Sequence, residues 1–199
     1  MSAIGFLHSN LVFSRRVRVL SEAIVEVLPT EGTVLDVGCG DGLIDDLIKR
    51  QRPGLSIVGV DVLVRPQTHI PVDTFDGSHL PFEDKSFDIV LFTDVLHHTV
   101  DPEVLLREAK RVARVAIILK DHIQEGIFAA STLRFMDWVG NAHHGVVLPY
   151  NYWKESRWLE AFRSIGLQVQ SWRPELWLYP RPVSWLFDRR LHFVARLGV

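Results

Sequence analysis

The sequence predicts an α/β fold built on a mostly parallel sheet with helices on both faces, and three observations carry that expectation. Short apolar runs alternate with stretches of helical spacing over residues 14–120. Phe87-Asp88-Ile89-Val90-Leu91-Phe92-Thr93 is nearly continuous in apolar residues, the pattern of a strand covered on both faces. Strands alternating with helices, without a repeat or a low-complexity linker, imply right-handed crossovers within one sheet. At 199 residues the chain fits a single domain, residues 1–199, with a substantial core.

The elements follow in order. Ser14 is placed to cap a helix running to about Leu28, with Val17, Leu20, Ile24 and Val27 on one face and Pro29 ending it. Arg15, Arg16 and Arg18 crowd its first turns and read as a solvated face. Thr33–Val37 is the first strand; Leu43, Ile44, Leu47 and Ile48 mark the helix after it. Pro53-Gly54 turns the chain into a second strand, Ser56-Ile57-Val58-Gly59-Val60-Asp61, and a weaker third lies near 68–72. Phe87–Thr93 is the fourth. Asp101-Pro102 opens a helix with Val104, Leu105, Ala109 and Val112 at helical spacing, before a fifth strand at 115–119. A helix over 152–165 and strands near 167–172 and 191–197 complete the chain. Segment 121–150 reads as a helical, aromatic lid and 173–185 as an apolar loop; all six tryptophans lie between Trp138 and Trp185.

Composition narrows the function classes. A net charge of −2 gives no general attraction to nucleic acid or anionic membrane. The single cysteine, Cys39, excludes an internal disulfide framework and suits a reducing cytosol. Residues 1–7 make a poor signal peptide, and no apolar run reaches the roughly 18 residues a spanning helix needs. The expectation is a cytoplasmic domain, monomeric or homodimeric, whose aromatic tail allows peripheral membrane contact.

The informative stretch is Val34-Leu35-Asp36-Val37-Gly38-Cys39-Gly40-Asp41-Gly42, a strand, a tight turn and a helix start. Glycines there let a ligand press against main-chain N–H groups. Lysine is absent, and Asp36 and Asp41 stand where a phosphate would meet repulsion, so a ligand carrying its own positive charge fits better. In a doubly wound sheet ligands bind beyond the carboxyl ends of the strands, where Asp36, Asp61, Asp76 and Thr93-Asp94 all fall. Gly38, Gly40 and Gly42 give G-x-G-x-G, not the G-x-G-x-x-G of dinucleotide sites.

These motifs resemble the class I S-adenosylmethionine-dependent methyltransferases, in the small-molecule group that includes the ubiquinone and menaquinone methyltransferases. Val34–Gly42 is similar to the first motif, Asp61 to the second, and Asp76-Gly77 with Leu80-Pro81-Phe82 to the third region. Phe87–Val90 and Asp94-Val95-Leu96-His97-His98 resemble the fourth; together they span about residues 30–120. The resemblance implies a Rossmann-like, seven-stranded sheet with an antiparallel C-terminal strand. It implies S-adenosylmethionine as cofactor and a small, aromatic or lipophilic acceptor methylated at O, C or N. It also implies that Asp36, Gly38 and Gly40 hold the methionine part and Asp61 both ribose hydroxyls. Asp76 with Gly77 or Ser78 would meet the adenine, and Val62 and Leu63 would face the purine with Leu80 and Phe82. Cys39, Thr93 and Asp94 complete the expected cofactor set, Cys39 as a small packed hydrophobe.

Sulfonium methyl transfer needs alignment and exclusion of water, and a base only where the acceptor must lose a proton. His97 and His122 are the first candidates and His143 the third, with His98 and His144 competing. His143-His144 near Asp137 raises a metal reading, but adjacent histidines rarely converge on one ion, and H-E-x-x-H and cysteine clusters are absent; no metal is expected. The fourth motif lacks the Asn/Asp-Pro-Pro-aromatic run of adenine and glutamine methylation, and no strong basic patch points to nucleic acid. A non-catalytic scaffold that keeps the cofactor fold is the alternative; loss of the motif acids would favour it, and none is lost.

Overall fold

The computed structural model describes residues 3–141 and 149–199. Helix α1 (Ala3–Val25) leads into β1 (Glu31–Val37), α2 (Leu43–Gln51), β2 (Gly54–Asp61), β3 (Val72–Thr74) and β4 (Phe87–Thr93). A 3-10 turn (Leu96–His98), α3 (Pro102–Val112), β5 (Ala113–His122), α4 (Ala129–Asn141) and α5 (Glu155–Ile165) follow. The chain closes with β6 (Gln168–Arg173), α6 (Ser184–Phe187) and β7 (His192–Gly198). The seven strands form one sheet in the order β3-β2-β1-β4-β5-β7-β6. Strand β7 runs antiparallel to both β5 and β6, and β1 through β5 are parallel. The fold class is therefore the one the sequence predicts.

Alternation of side chains sends successive residues of each strand to opposite layers. Leu35, Val37, Val90, Phe92, Ile117 and Leu119 pack in one layer with α3 and α5 residues Leu106, Trp158 and Phe162. Val34, Ile57, Ile89, Leu91 and Ile118 pack in the other with Leu20 and Ile24 of α1 and Ile48 of α2. Chain order reverses at β1, which lies between β2 and β4, so the crevice of a doubly wound sheet opens at its carboxyl end. Register brings the strand ends level there: Val37 pairs with Val60 and Phe92, and Thr93 with Lys120.

The boundaries differ from expectation most in four places. Helix α1 begins at Ala3, with Ser14 in its interior; residues 3–13 hold no proline, and serine lacks the strength to stop a helix whose apolar spacing continues. Strand β3 starts after Pro71, which has no N–H to donate to the ladder. Strand β5 runs on to His122 and draws Lys120 and Asp121 fully into the sheet, although three polar residues read as a strand end. Segment 173–185 contains the start of α6, and Arg181–Pro182 is cis. No helix among the described residues is long and apolar enough to cross a membrane.

Trp158 joins this core to the strand ends. It is fully buried, packs on Trp153, Phe162 and Phe193, and its indole N–H donates to the His122 carbonyl at 3.0 Å. Trp158→Phe keeps most of the apolar surface but orphans that carbonyl, and should cost about 1–3 kcal/mol. Urea denaturation checks it: an unchanged midpoint removes Trp158 from the support of the site.

Candidate active site

The turn between β1 and α2 is built by residues that a side chain would spoil. Gly38 has φ 75°, and a Cβ there would lie 2.6 Å from Val95, just beyond the end of β4. Gly40 has φ 62°, and a Cβ there would meet nothing within 4 Å, so the turn faces open space. Asp61, at the end of β2, holds the turn: its Oδ2 accepts from Gly40 N at 2.9 Å and its Oδ1 from Leu63 N at 2.9 Å. A carboxylate oxygen has two acceptor positions, so each keeps capacity for a ligand hydroxyl.

Val62 and Leu63 stand beside Asp61, 60% and 50% exposed, an apolar surface at the mouth of the crevice. Asp76 gathers the next turn through one oxygen, which accepts from Ser78 N at 2.7 Å, Ser78 Oγ at 2.9 Å and His79 N at 2.7 Å. Those bonds hold its pKa below the usual carboxylate range. A Cβ on Gly77 would lie 3.2 Å from Val62, which places this turn against the end of β2. Asp41 accepts from Leu43 N at 3.1 Å and so serves the start of α2. Cys39 packs its sulfur over Gly59; burial, then the charges of Asp36, Asp45 and Asp61, push its thiol pKa up.

Beneath the turn, Asp36 is 2% exposed and Asp45, on the first turn of α2, is completely buried. The two carboxyl groups interact, yet Asp36 Oδ1 and both Asp45 oxygens lack a hydrogen-bond donor. Burial and the mutual repulsion raise Asp36 well above its ordinary value. Burial likewise pushes Asp45 up to about 7.

A second group of polar residues fills the ends of β4 and β5. Asp94, in the left-handed region at φ 59°, accepts from Arg16 of α1 at 2.6 Å and from Lys120 of β5. Lys120 is fully buried, and its Nζ lies 3.5 Å from His192 Nδ1. Burial opposes ionisation of Asp94, but Lys120, His122 and Arg16 outweigh it and hold its pKa well below normal. His97 is 1% exposed; its Nδ1 lies 2.6 Å from Asp121 Oδ1 and its Nε2 3.3 Å from Asp137 Oδ2. Burial lowers the His97 pKa, yet Asp121 and Asp137 prevail and push it up to about 10.

Asp121 also accepts from the backbone N–H of Leu96 at 3.0 Å and of His122 at 2.7 Å, and Tyr152 donates to Asp137. His122 lies 3.4 Å from Asp94 and 3.9 Å from Asp137, with its Nδ1 3.3 Å from the Leu191 carbonyl. Burial, then Lys120, sets its pKa well below normal.

The structure thus sorts the expected residues into two neighbouring groups. Asp36, Gly38, Cys39, Gly40, Asp61 and Val62 gather at the glycine turn, with Asp76, Gly77 and Ser78 at the adjoining one. Asp94 joins His97 and His122 in the polar cluster. Thr93 closes β4 with its Oγ1 buried and without a hydrogen-bond partner. His143 and His144 lie outside the described residues. Arg16 is an ion-pair partner of Asp94, not part of a solvated face, because α1 packs on the sheet with Arg16 within 2.6 Å of that carboxylate. Asp45, Lys120, Tyr152 and His192 carried no signal as isolated residues in the sequence, Lys120 because it follows the apolar run 115–119 and reads as its polar end.

A family model described as a methyltransferase domain matches residues 12–171. The demethylmenaquinone methyltransferase of Thermotoga maritima is 35% identical over 100 residues, covering 47% of this chain and 43% of the relative. A ubiquinone biosynthesis O-methyltransferase of Rhizobium etli is 34% identical over 98 residues, covering 43% and 39%. The matches to these curated relatives span less than half their length. The crystal structure of an S-adenosylmethionine-dependent methyltransferase from Mesorhizobium loti shares the fold: TM-score 0.66 at 18% identity, covering 89% of this chain and 96% of that one. The chain belongs to the methyltransferase domain family. Its residues fit the S-adenosylmethionine that the motif resemblance implies: Asp36 offers an orphaned buried oxygen for a cation, Gly40 an open face, and Asp61 spare acceptor positions.

The Asp36–Asp45 pair fixes a sign for pH dependence. Both carboxyls start near 3.8 in the unfolded chain and are raised on folding, Asp45 to about 7, so the folded state binds more protons across that window. Stability therefore falls as pH rises from about 4 to about 7. Asp45→Asn should flatten this slope and raise the melting temperature most at neutral pH. Parallel melting curves for both proteins over the whole window would refute the raised pair.

Proposed function

We propose that this chain transfers a methyl group from S-adenosylmethionine to a small, oxygenated aromatic or lipophilic acceptor. One observation carries the reading: a left-handed glycine turn flanked by Asp36 and Asp61 opens beside a buried His–Asp cluster at the switch point of the sheet. The bound cofactor supplies an activated methyl on a sulfonium whose thioether leaves readily. Asp61 would accept from the ribose hydroxyls, and Asp36 with the Gly38–Gly40 turn would receive the ammonium end. Val62 and Leu63 would cover one face of the purine and Asp76, Gly77 and Ser78 would meet its edge, while Cys39 backs the turn. Thr93 and Asp94, at the end of β4, would lie between the cofactor and the acceptor.

On the acceptor side, His97 and His122 place polar atoms near the methyl. Asp121 fixes His97, and the Leu191 carbonyl orients His122. Their role is to position an acceptor oxygen. Phe128, Phe135, Trp138, Trp177 and Trp185 are all more than half exposed on and around α4 and α6. They are suited to lie over an apolar acceptor as a lid that excludes water. The quinone-pathway names of the Thermotoga and Rhizobium relatives support an acceptor of this chemistry.

Calorimetric titration with S-adenosylmethionine and its demethylated product tests the cofactor half. Asp61→Ala should lose about 1–3 kcal/mol of affinity, roughly 5- to 150-fold. Unchanged affinity removes Asp61 from the site. Labelled-methyl transfer to a panel of hydroxylated aromatic and quinol compounds tests the acceptor half. Label appearing only in protein or RNA of a cell extract would overturn the small-molecule assignment.

A further inference from the structure

We propose that His97, through Nε2, together with His98 and the Asp137 carboxylate, holds a divalent transition-metal ion with a coordination position open to an acceptor oxygen. The ion site stands on its own geometry; the clause about the acceptor rests on the methyl-transfer reading above.

Adjacent histidines point apart in an extended strand, which argues against a shared ion. Here they sit in the 3-10 turn Leu96–His98, where their ring centroids are 4.0 Å apart. His97, His98 and Asp137 each present one ligand atom, and the three lie within 4.8 Å of one another. His97 Nε2 and His98 Nδ1 are buried without a hydrogen-bond partner. His97 Nε2 is 3.3 Å from Asp137 Oδ2 yet makes no aligned hydrogen bond to it. Two ligands each about 2.1 Å from one ion at a tetrahedral angle stand roughly 3.4 Å apart. The spacing is that of two ligands sharing an ion.

The surroundings supply what metal-binding histidines need. Asp121 takes the other ring nitrogen of His97 at 2.6 Å, the carboxylate–histidine arrangement that orients a ligand ring and raises its basicity. Tyr152 donates to Asp137 and fixes that carboxylate. Among the described residues three carboxylates, Asp94, Asp121 and Asp137, gather here with Arg16, Lys120 and His97, and an ion held at Nε2 would take the place of the His97 proton. Asp94, His97 and His122 also converge within 4.8 Å, but Asp94 is already committed to Arg16 and Lys120.

Two imidazoles and one carboxylate suit zinc, cobalt, iron or manganese rather than magnesium or calcium. Three protein ligands leave the ion a free position, as in catalytic sites. An acceptor hydroxyl bound there would release its proton to solvent more easily, and its oxygen would then form the new bond to the methyl as the C–S electron pair returns to the thioether sulfur.

Co2+ added to the chelator-stripped full chain, followed by visible ligand-field absorption, tests the site. One equivalent should bind with the spectrum of a four- or five-coordinate nitrogen–oxygen site, and Zn2+ should displace it. His98→Ala and Asp137→Asn should each weaken Co2+ binding at least ten-fold while circular dichroism and the S-adenosylmethionine titration stay unchanged. Absence of stoichiometric Co2+ binding, or equal binding by both variants and the parent, overturns the site. Cofactor binding is read separately, so failure here leaves the methyltransferase assignment standing. Methyl transfer that survives complete removal of a bound ion overturns the acceptor clause alone.

Discussion

Lys120 has no exposed surface, and the polar layer at the ends of β4 and β5 is arranged around keeping its charge paired. A buried ammonium stripped of its partner costs about 3–5 kcal/mol, a large share of a domain's whole stability. Asp94 provides that partner from the left-handed residue that ends β4, and its N–H donates to the Lys120 carbonyl at 2.9 Å. Arg16 reaches the same carboxylate from α1, so the N-terminal helix is fastened across the sheet end by charge as well as by apolar packing. Once Asp94 is fixed, so is the path of the chain into Val95, Leu96 and His97, which carries Val95 against Gly38 and His97 against Asp121.

What could be read from the sequence divides along physical lines. Strands buried on both faces announce themselves as apolar runs, and β1, β2, β4 and the core of β5 were legible for that reason. Asp36 and Asp61 were legible because each ends such a run beside a glycine turn. Asp45 was hidden, since an acid in the first turn of a helix ordinarily faces water and complements the dipole. Arg16 was hidden by its neighbours Arg15 and Arg18, which make one inward-reaching cation look like part of a solvated stripe. The continuation of β5 through Lys120-Asp121-His122 was hidden because propensity sees only local polarity. The partners that make those residues tolerable, Asp94, His97 and His192, come from 24 to 72 positions away.

The two halves of the site differ in how their charges are satisfied. At the glycine turn, Asp61 has its backbone donors and keeps spare acceptor positions, while Asp36 and Asp45 have each other and no donor. Protonation relieves that pair in the free protein, and a cationic ligand above Asp36 relieves it by a different route. In the polar cluster, among the described residues, the buried atoms left without an aligned hydrogen bond are Nε2 of His97, Nδ1 of His98 and Oγ1 of Thr93.

Native interiors rarely leave buried polar atoms unpaired, because each costs about 1–3 kcal/mol. Such atoms also occur singly at Arg52, Ser171 and Trp172, but at the strand ends they cluster, on either side of the contact between Gly38 and Val95. Carboxylate oxygens at the turn ask for a cationic or hydroxyl-bearing ligand, and imidazole nitrogens above β4 ask for an electrophile. A sulfonium nucleoside answers the first demand and a borderline metal ion the second. The methyl group would then pass across the seam at Val95, between two ligands that the same sheet edge holds by opposite kinds of deficit.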